Sequence, residues 1–218
     1  LVIAFGVDMP YAIGASLASG GDALALLGLG SVGRETARLD AWSDLDFFVI
    51  AAPGRKARFL DRLDWLEAAA PLAWHFRNTG DGHKALMHDG VFCEFAVFEP
   101  QELAAIPFAP GRVVWQAEGF DGASLQPQRP LPRRNDDETW IVGEALSNLI
   151  VGLMRWHRGE RLAAARMVQG HALDRLIELD ALRAHATGGD PFSAERRLEA
   201  RQPALADELP ALVPGYLH

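Results

Sequence analysis

Leu26-Leu27-Gly28-Leu29-Gly30-Ser31-Val32-Gly33-Arg34, followed after a short interval by Ser43-Asp44-Leu45-Asp46-Phe47-Phe48-Val49-Ile50, is the stretch whose reading decides the fold. An apolar run stops at a Gly-Ser turn, and two aspartates one residue apart open a second apolar run. Residues 22–29 read as a strand buried on both faces, continuously apolar after one acid. Residues 44–52 read as a second strand, stopped by Pro53-Gly54. Between them, 31–39 has the makings of a short helix carrying Arg34, Glu35 and Arg38.

The glycines invite two readings that their surroundings refuse. Gly28-x-Gly30-x-x-Gly33 after a strand fits the dinucleotide-binding fingerprint literally. That fingerprint needs a ribose-binding acid at the end of the second strand. Here Asp44 and Asp46 begin the strand, which ends Ile50-Ala51-Ala52-Pro53 without one. A protein-kinase glycine loop fails too, because no Val-Ala-x-Lys, His-Arg-Asp or Asp-Phe-Gly follows.

The aspartates say more. Residues two apart in a strand point to one face, so Asp44 and Asp46 project together while Leu45 and Phe47 face the core. Neighbouring carboxylates repel unless a cation sits between them. Mg²⁺, which prefers oxygen ligands, is the natural compensation. Glu94 is the only charge in Val91-Phe92-Cys93-Glu94-Phe95-Ala96-Val97-Phe98. Beside Asp44 and Asp46 it would complete a divalent-cation cage, or take a proton from an attacking hydroxyl.

Outward from this centre, 9–20 reads as a helix and 58–70 as another, with Phe59, Leu60, Leu63, Leu66 and Ala70 at helical spacing. Residues 72–76, 84–88 and 91–98 read as strands, the last two joined at Asp89-Gly90 as a hairpin. The order describes an α/β (α+β) domain with a mixed sheet. Between Pro107 and Asn135, five prolines and Arg133-Arg134 suggest a connector without regular elements. Beyond it, Val142, Leu146, Leu149, Leu153 and Trp156, then Leu162 through Leu179, advance by helical steps, with Arg158-Gly159-Glu160 between the two runs. Ser193 is placed to cap a third helix carrying Leu198 and Leu205. Two domains are expected, 1–134 catalytic and 135–218 all-helical.

Bulk properties narrow the function. The net charge is −8. Residues 1–134 hold 12 basic and 16 acidic side chains, and the remainder 9 and 13, so neither part offers a basic surface for nucleic acid. The single Cys93 excludes an internal disulfide and a cysteine zinc site. No apolar run is long enough to span a membrane. The first residues lack the basic start of a signal peptide, which makes the cytoplasm the expected location. His75, His83 and His88 lack metal-ligand spacing and are expected at the surface; Trp65, Trp74, Trp115 and Trp140 are expected in cores or interfaces. Arg155, Trp156, His157 and His171 stand out as polar or aromatic residues on apolar helices.

Gly30-Ser31, then Ser43-Asp44-x-Asp46 on a strand, then Glu94 on a later strand resembles the nucleotidyltransferase superfamily typified by DNA polymerase β. The helical part, notably Leu146-Ser147-Asn148-Leu149 and Arg158-Gly159-Glu160, is similar to antibiotic nucleotidyltransferases, the two-domain lincosamide enzymes above all. The resemblance implies transfer of a nucleoside monophosphate from a nucleoside triphosphate to a hydroxyl of a small molecule, with release of pyrophosphate. It implies an antibiotic acceptor, a lincosamide or an aminoglycoside. Asp44, Asp46 and Glu94 would hold Mg²⁺, with Glu94 also the general base. Gly30, Ser31, Arg34 and Ser43 would hold the nucleotide. The family often has Arg-Gly after Gly-Ser, whereas this chain runs Val-Gly-Arg. Other readings of the same residues are a non-catalytic nucleotide-binding or interaction module, or nucleotidylation of a protein. The helical part is able to supply a homodimer interface.

Overall fold

The two apolar runs of the opening stretch become neighbouring antiparallel strands, β1 (Ala23–Gly28) and β2 (Leu45–Ala51). The structure, a computed structural model, describes residues 5–36, 39–40, 42–131, 135–185 and 193–215, with the backbone alone for 5–7. The chain divides into two units, Leu1–Leu131 and Pro132–His218. The expected boundary after residue 134 falls on 132–134, outside the described residues.

In the first unit, α1 (Phe5–Gly20) precedes β1, and α2 (Lys56–Asp61) and α3 (Asp64–Glu67) follow β2. Then come β3 (Leu72–Arg77), β4 (Gly82–Met87), β5 (Phe92–Phe98) and β6 (Arg112–Gln116). The sheet order is β3-β4-β5-β2-β1-β6. β2 and β5 run parallel and every other neighbouring pair antiparallel, so the sheet is mixed, as expected. Asp89-Gly90 makes the β4–β5 turn, with Gly90 at φ +92 in the region that glycine enters freely.

Alternation along the strands sorts side chains between two faces. Leu45, Phe47 and Val49 of β2, with Cys93, Phe95 and Val97 of β5, pack on one face against Ile13 and Leu17 of α1 and Trp65 and Leu66 of α3. Ile50 and Phe98 belong to a smaller cluster on the other face, with Leu103, Phe108 and Leu125. Leu103 and Leu125 lie in 3₁₀ turns at Pro100–Ala105 and Gly122–Leu125.

Four expectations need correction. The Pro107–Asn135 connector contains β6, because its prolines leave Arg112 to Gln116 uninterrupted and β1 supplies the pairing partner. The single helix over 58–70 is two short ones, since Arg62 is extended (φ −139, ψ 120) and Leu63 is buried in the main core. In place of a continuous helix over 31–39, the described residues form a 3₁₀ turn at Gly30–Val32, ended by Gly33 at φ −87, ψ −117; Ala37 and Arg38 lie outside the described residues. The helix expected directly behind Ser193 starts only at Leu198, after Arg197 in left-handed conformation.

The second unit is all-helical. Asp137 accepts hydrogen bonds from the Thr139 and Trp140 N–H groups and so caps α4 (Glu138–His157). Gly159, at φ +79, turns the chain into α5 (Arg161–Arg166). A π-helical turn, Met167–His171, leads from α5 into α6 (Ala172–Arg183). α7 (Leu198–Arg201) and α8 (Pro203–Leu212) complete the unit, with Ile177, Leu198 and Leu205 as its buried cluster. At Gly152 an added Cβ would lie 2.6 Å from Val168 Cγ2, so the glycine lets α4 approach the π-helical turn closely. No helix among the described residues is long and apolar enough to cross a membrane.

Candidate functional site

The Gly-Ser turn is tied to the acidic strand through the backbone. Leu29 N–H donates to the Asp46 carbonyl at 2.7 Å, and Ser31 Oγ–H to the Asp44 carbonyl at a long 3.5 Å. Gly30 sits at φ +50, and a Cβ placed on it would lie 3.5 Å from Asp46 Oδ2, so the turn backbone borders the carboxylate. Arg112 on β6 fastens the turn from behind, donating from Nη2 to the Val32 carbonyl at 3.0 Å and from Nε to the Gly33 carbonyl at 3.2 Å.

Gly28, Gly33 and Gly111 are where backbones meet. A Cβ on Gly33 would lie 2.7 Å from the Gly28 carbonyl oxygen, and one on Gly111 2.6 Å from the same atom. These glycines are required by close packing, and Gly30 by its positive φ.

Asp46 and Glu94 are register partners on the parallel pair β2–β5. Directly opposed residues on parallel strands share a face, about 5 Å apart at the backbone. That face is the one carrying Ile50 and Phe98, beyond the end its small cluster covers. Asp44 lies one residue before β2 begins. Lys84 is the register partner of Glu94 on β4. The row across the face is therefore Lys84, Glu94, Asp46.

Glu94 turns toward Lys84. Lys84 Nζ is 3.1 Å from Glu94 Oε2, and Asn78 Nδ2–H donates to Glu94 Oε1 at 3.4 Å. Among the described residues no three His, Cys, Asp or Glu side chains gather closely enough to hold a metal ion. Glu94 is paired here with a cation of the chain itself, Lys84. The donor chemistry of Asp44 and Asp46 does fit Mg²⁺, being oxygen only and bordered by turn backbone.

The other expected nucleotide-binding residues have local partners. Arg34 Nε–H donates to the Gly111 carbonyl at 3.2 Å. Ser43 Oγ is bonded to the Asp40 backbone N–H and carboxylate, each at 3.0 Å, in the loop leading into β2. The turn after Ser31 is too short to present a helix N-terminus to an anion. Lys84, Asn78 and Arg112 had no motif to mark them; only the register opposite Glu94 reveals the first.

The acids are felt beneath the sheet. Burial foremost, then the negative charges of Asp89, Asp46 and Asp44, push the Cys93 thiol up to about 12. Cys93 is therefore an inert core residue and no nucleophile. His83, expected at the surface, is buried against Phe95 with rings 5.6 Å apart. Trp74 is 51% exposed, on edge strand β3, and Trp140 is also exposed. Of the helical candidates, Arg155 lies 3.7 Å from Glu160, and the Trp156 ring is stacked under Arg161.

No protein-family model and no curated protein matches the chain. Among solved structures, it is similar to a nucleotidyltransferase-like protein from Exiguobacterium sibiricum 255-15, with 14% identity and a TM-score of 0.35, over 94% of this chain and 66% of that one. It is also similar to an aminoglycoside 6-adenyltransferase from Bacillus subtilis, with 13% identity and a TM-score of 0.34, over 91% of this chain and 76% of that one. The chain thus spans just under two thirds of the first structure's length.

Proposed function

We propose that the chain is a Mg²⁺-dependent nucleotidyltransferase that moves a nucleoside monophosphate from a nucleoside triphosphate to a hydroxyl of a small molecule. The observation carrying this reading is the register pairing of Asp46 with Glu94, on one sheet face, beside the Gly30-Ser31 turn. Two acids at directly opposed positions of adjacent parallel strands repel unless cations compensate them.

In this reading the acceptor oxygen attacks the α-phosphorus, the bond to the oxygen bridging the α and β phosphorus atoms breaks, and pyrophosphate leaves. Asp44 and Asp46 would hold Mg²⁺, which supplies charge neutralisation at the phosphoryl group when bound. Glu94 takes the hydroxyl proton as general base. The Gly30-Ser31 backbone and hydroxyl hold the triphosphate, with Arg34 and Ser43 at the margins of the turn. An antibiotic acceptor, a lincosamide or an aminoglycoside, suits a protein of net charge −8, which attracts cationic molecules and repels nucleic acid. A cytoplasmic location and homodimerisation through the helical unit complete the proposal.

One observation favours a second reading. The Lys84–Glu94 pair neutralises the proposed base, as a non-catalytic nucleotide-binding or interaction module would tolerate. Incubation with ATP or GTP, Mg²⁺ and a panel of lincosamides and aminoglycosides separates the two. Pyrophosphate release is expected, reduced about 100-fold or more in Asp46→Asn. Release no greater than that of Asp46→Asn, with every nucleotide and acceptor, would sink the enzymatic reading. Transfer of labelled nucleotide to protein instead would identify a protein acceptor.

A further inference from the structure

Lys84 has no part in the reaction just described, yet it is the register partner of the proposed base. Its ammonium lies 3.1 Å from Glu94 Oε2, while the other carboxylate oxygen receives the Asn78 amide at 3.4 Å. Both oxygens of Glu94 are thereby engaged, one by β4 and the other by the turn between β3 and β4. We propose that Lys84 is a resident counter-cation: it withholds Glu94 from the Asp44–Asp46 pair, and a divalent cation recruits Glu94 only by displacing it. This rests on the reading that Asp44 and Asp46 receive such a cation.

The geometry suits displacement. The two side chains are 35% and 44% exposed, and an ion pair open to water is weak. A doubly charged ion between carboxylates offers Glu94 a stronger partner than one ammonium. The row Lys84, Glu94, Asp46 places the carboxylate between its two alternative cations, one strand spacing from either. Lys84 therefore sets the threshold of cation concentration at which the third carboxylate joins, and acts as a positioning residue.

The test is Mn²⁺ binding to the full, nucleotide-free chain, followed by electron paramagnetic resonance, with circular dichroism confirming the fold of each variant. Lys84→Met and Lys84→Gln are each expected to bind Mn²⁺ at least about fivefold more tightly than the wild type, since a nearby positive charge is removed and a carboxylate released. Lys84→Arg should bind like the wild type. In a Glu94→Gln background the gain should vanish. Unchanged or weaker binding by both charge-removing variants overturns the proposal. So does a gain that persists without Glu94, which would mark a general field effect. A wild type that transfers no nucleotide while Lys84→Met still tightens Mn²⁺ leaves this inference standing and removes the enzymatic reading; an active wild type with unchanged Lys84 variants does the reverse. No Mn²⁺ bound by any of the proteins overturns the proposal and leaves the enzymatic reading to pyrophosphate release.

Discussion

Gly33 and Gly30 stand three residues apart in one turn and serve for different reasons, which substitution to alanine will separate. A Cβ on Gly33 meets backbone on two sides, the Gly28 carbonyl oxygen at 2.7 Å and the Leu29 Cα at 2.9 Å. Backbone does not yield cheaply, so Gly33→Ala must move β1 or the turn and is expected to cost about 2–3 kcal/mol. Gly30→Ala meets Asp46 Oδ2 at 3.5 Å, an ordinary contact, and suffers only its positive φ, costing about 1 kcal/mol. Urea unfolding of both variants checks the order; equal losses would mean that the close approach at Gly33 is not what fixes the turn. Gly30→Ala also places a methyl beside the Asp46 carboxylate, so its activity should fall by more than its stability does.

At the scale of elements, β4 depends on a neutral histidine. His83 stacks on Phe95 and its Nε2–H donates to the Leu60 carbonyl of α2 at 2.9 Å, joining the sheet to the helix layer. Its Nδ1 is buried without a hydrogen-bond partner among the described residues. Burial lowers its pKa below the ordinary 6.5, outweighing the Leu60 hydrogen bond, with the nearby positive charges of His75 and Arg77 adding to the lowering. The unfolded chain therefore binds the proton more readily than the folded one. His83 contributes full stability above about pH 6.5, lost as the pH falls toward its lowered folded value. Thermal melts between pH 7.5 and 5 should show the wild type losing more stability than His83→Gln; parallel curves would place the acid sensitivity elsewhere. The sequence disclosed this strand by its apolar residues from 84 onward but not the burial of His83, because a polar residue just outside an apolar run carries no sign of the face it takes. The same limit hid Lys84. β1, β2, β5 and the β4–β5 turn were legible because short apolar runs, Pro53-Gly54 and Asp89-Gly90 mark them locally. β6 was not: Val113-Val114-Trp115 is short, and its strand character comes from pairing with β1.

Across the whole molecule, the division into a mixed-sheet unit and a helical unit followed from a change of hydrophobic period, which any chain displays when its elements change type. The assembly of the acids did not follow, because it depends on which strand lies beside which, and sequence separation carries none of that. Helix α4 illustrates the point. Helical spacing marked Leu146, Leu149 and Leu153 as one apolar stripe; in the structure Ile141 and Gly152 are the buried residues of α4, while Leu146, Leu149, Ile150, Leu153 and Met154 are 38–58% exposed. These five, projected at 100° per residue, form a single arc without a charged residue. At about 500 Å² the arc is as large as the largest apolar patch a monomer usually exposes, and such patches often mark a contact surface. Each side chain exposes roughly 100 Å², so two copies packing arc to arc would bury about 1,000 Å², the lower bound of a specific interface. Trp140 and Trp156, also exposed on α4, are available to extend it. A two-fold pairing of α4 with its own copy suits the arc, since a charge-free surface meets itself without repulsion. Ile150→Glu with Leu153→Glu would set like charges across that two-fold. Sedimentation velocity should show the wild type as a dimer and the double variant as a monomer with an unchanged circular dichroism spectrum. A wild type that sediments as a monomer at every concentration would show that α4 does not pair with itself.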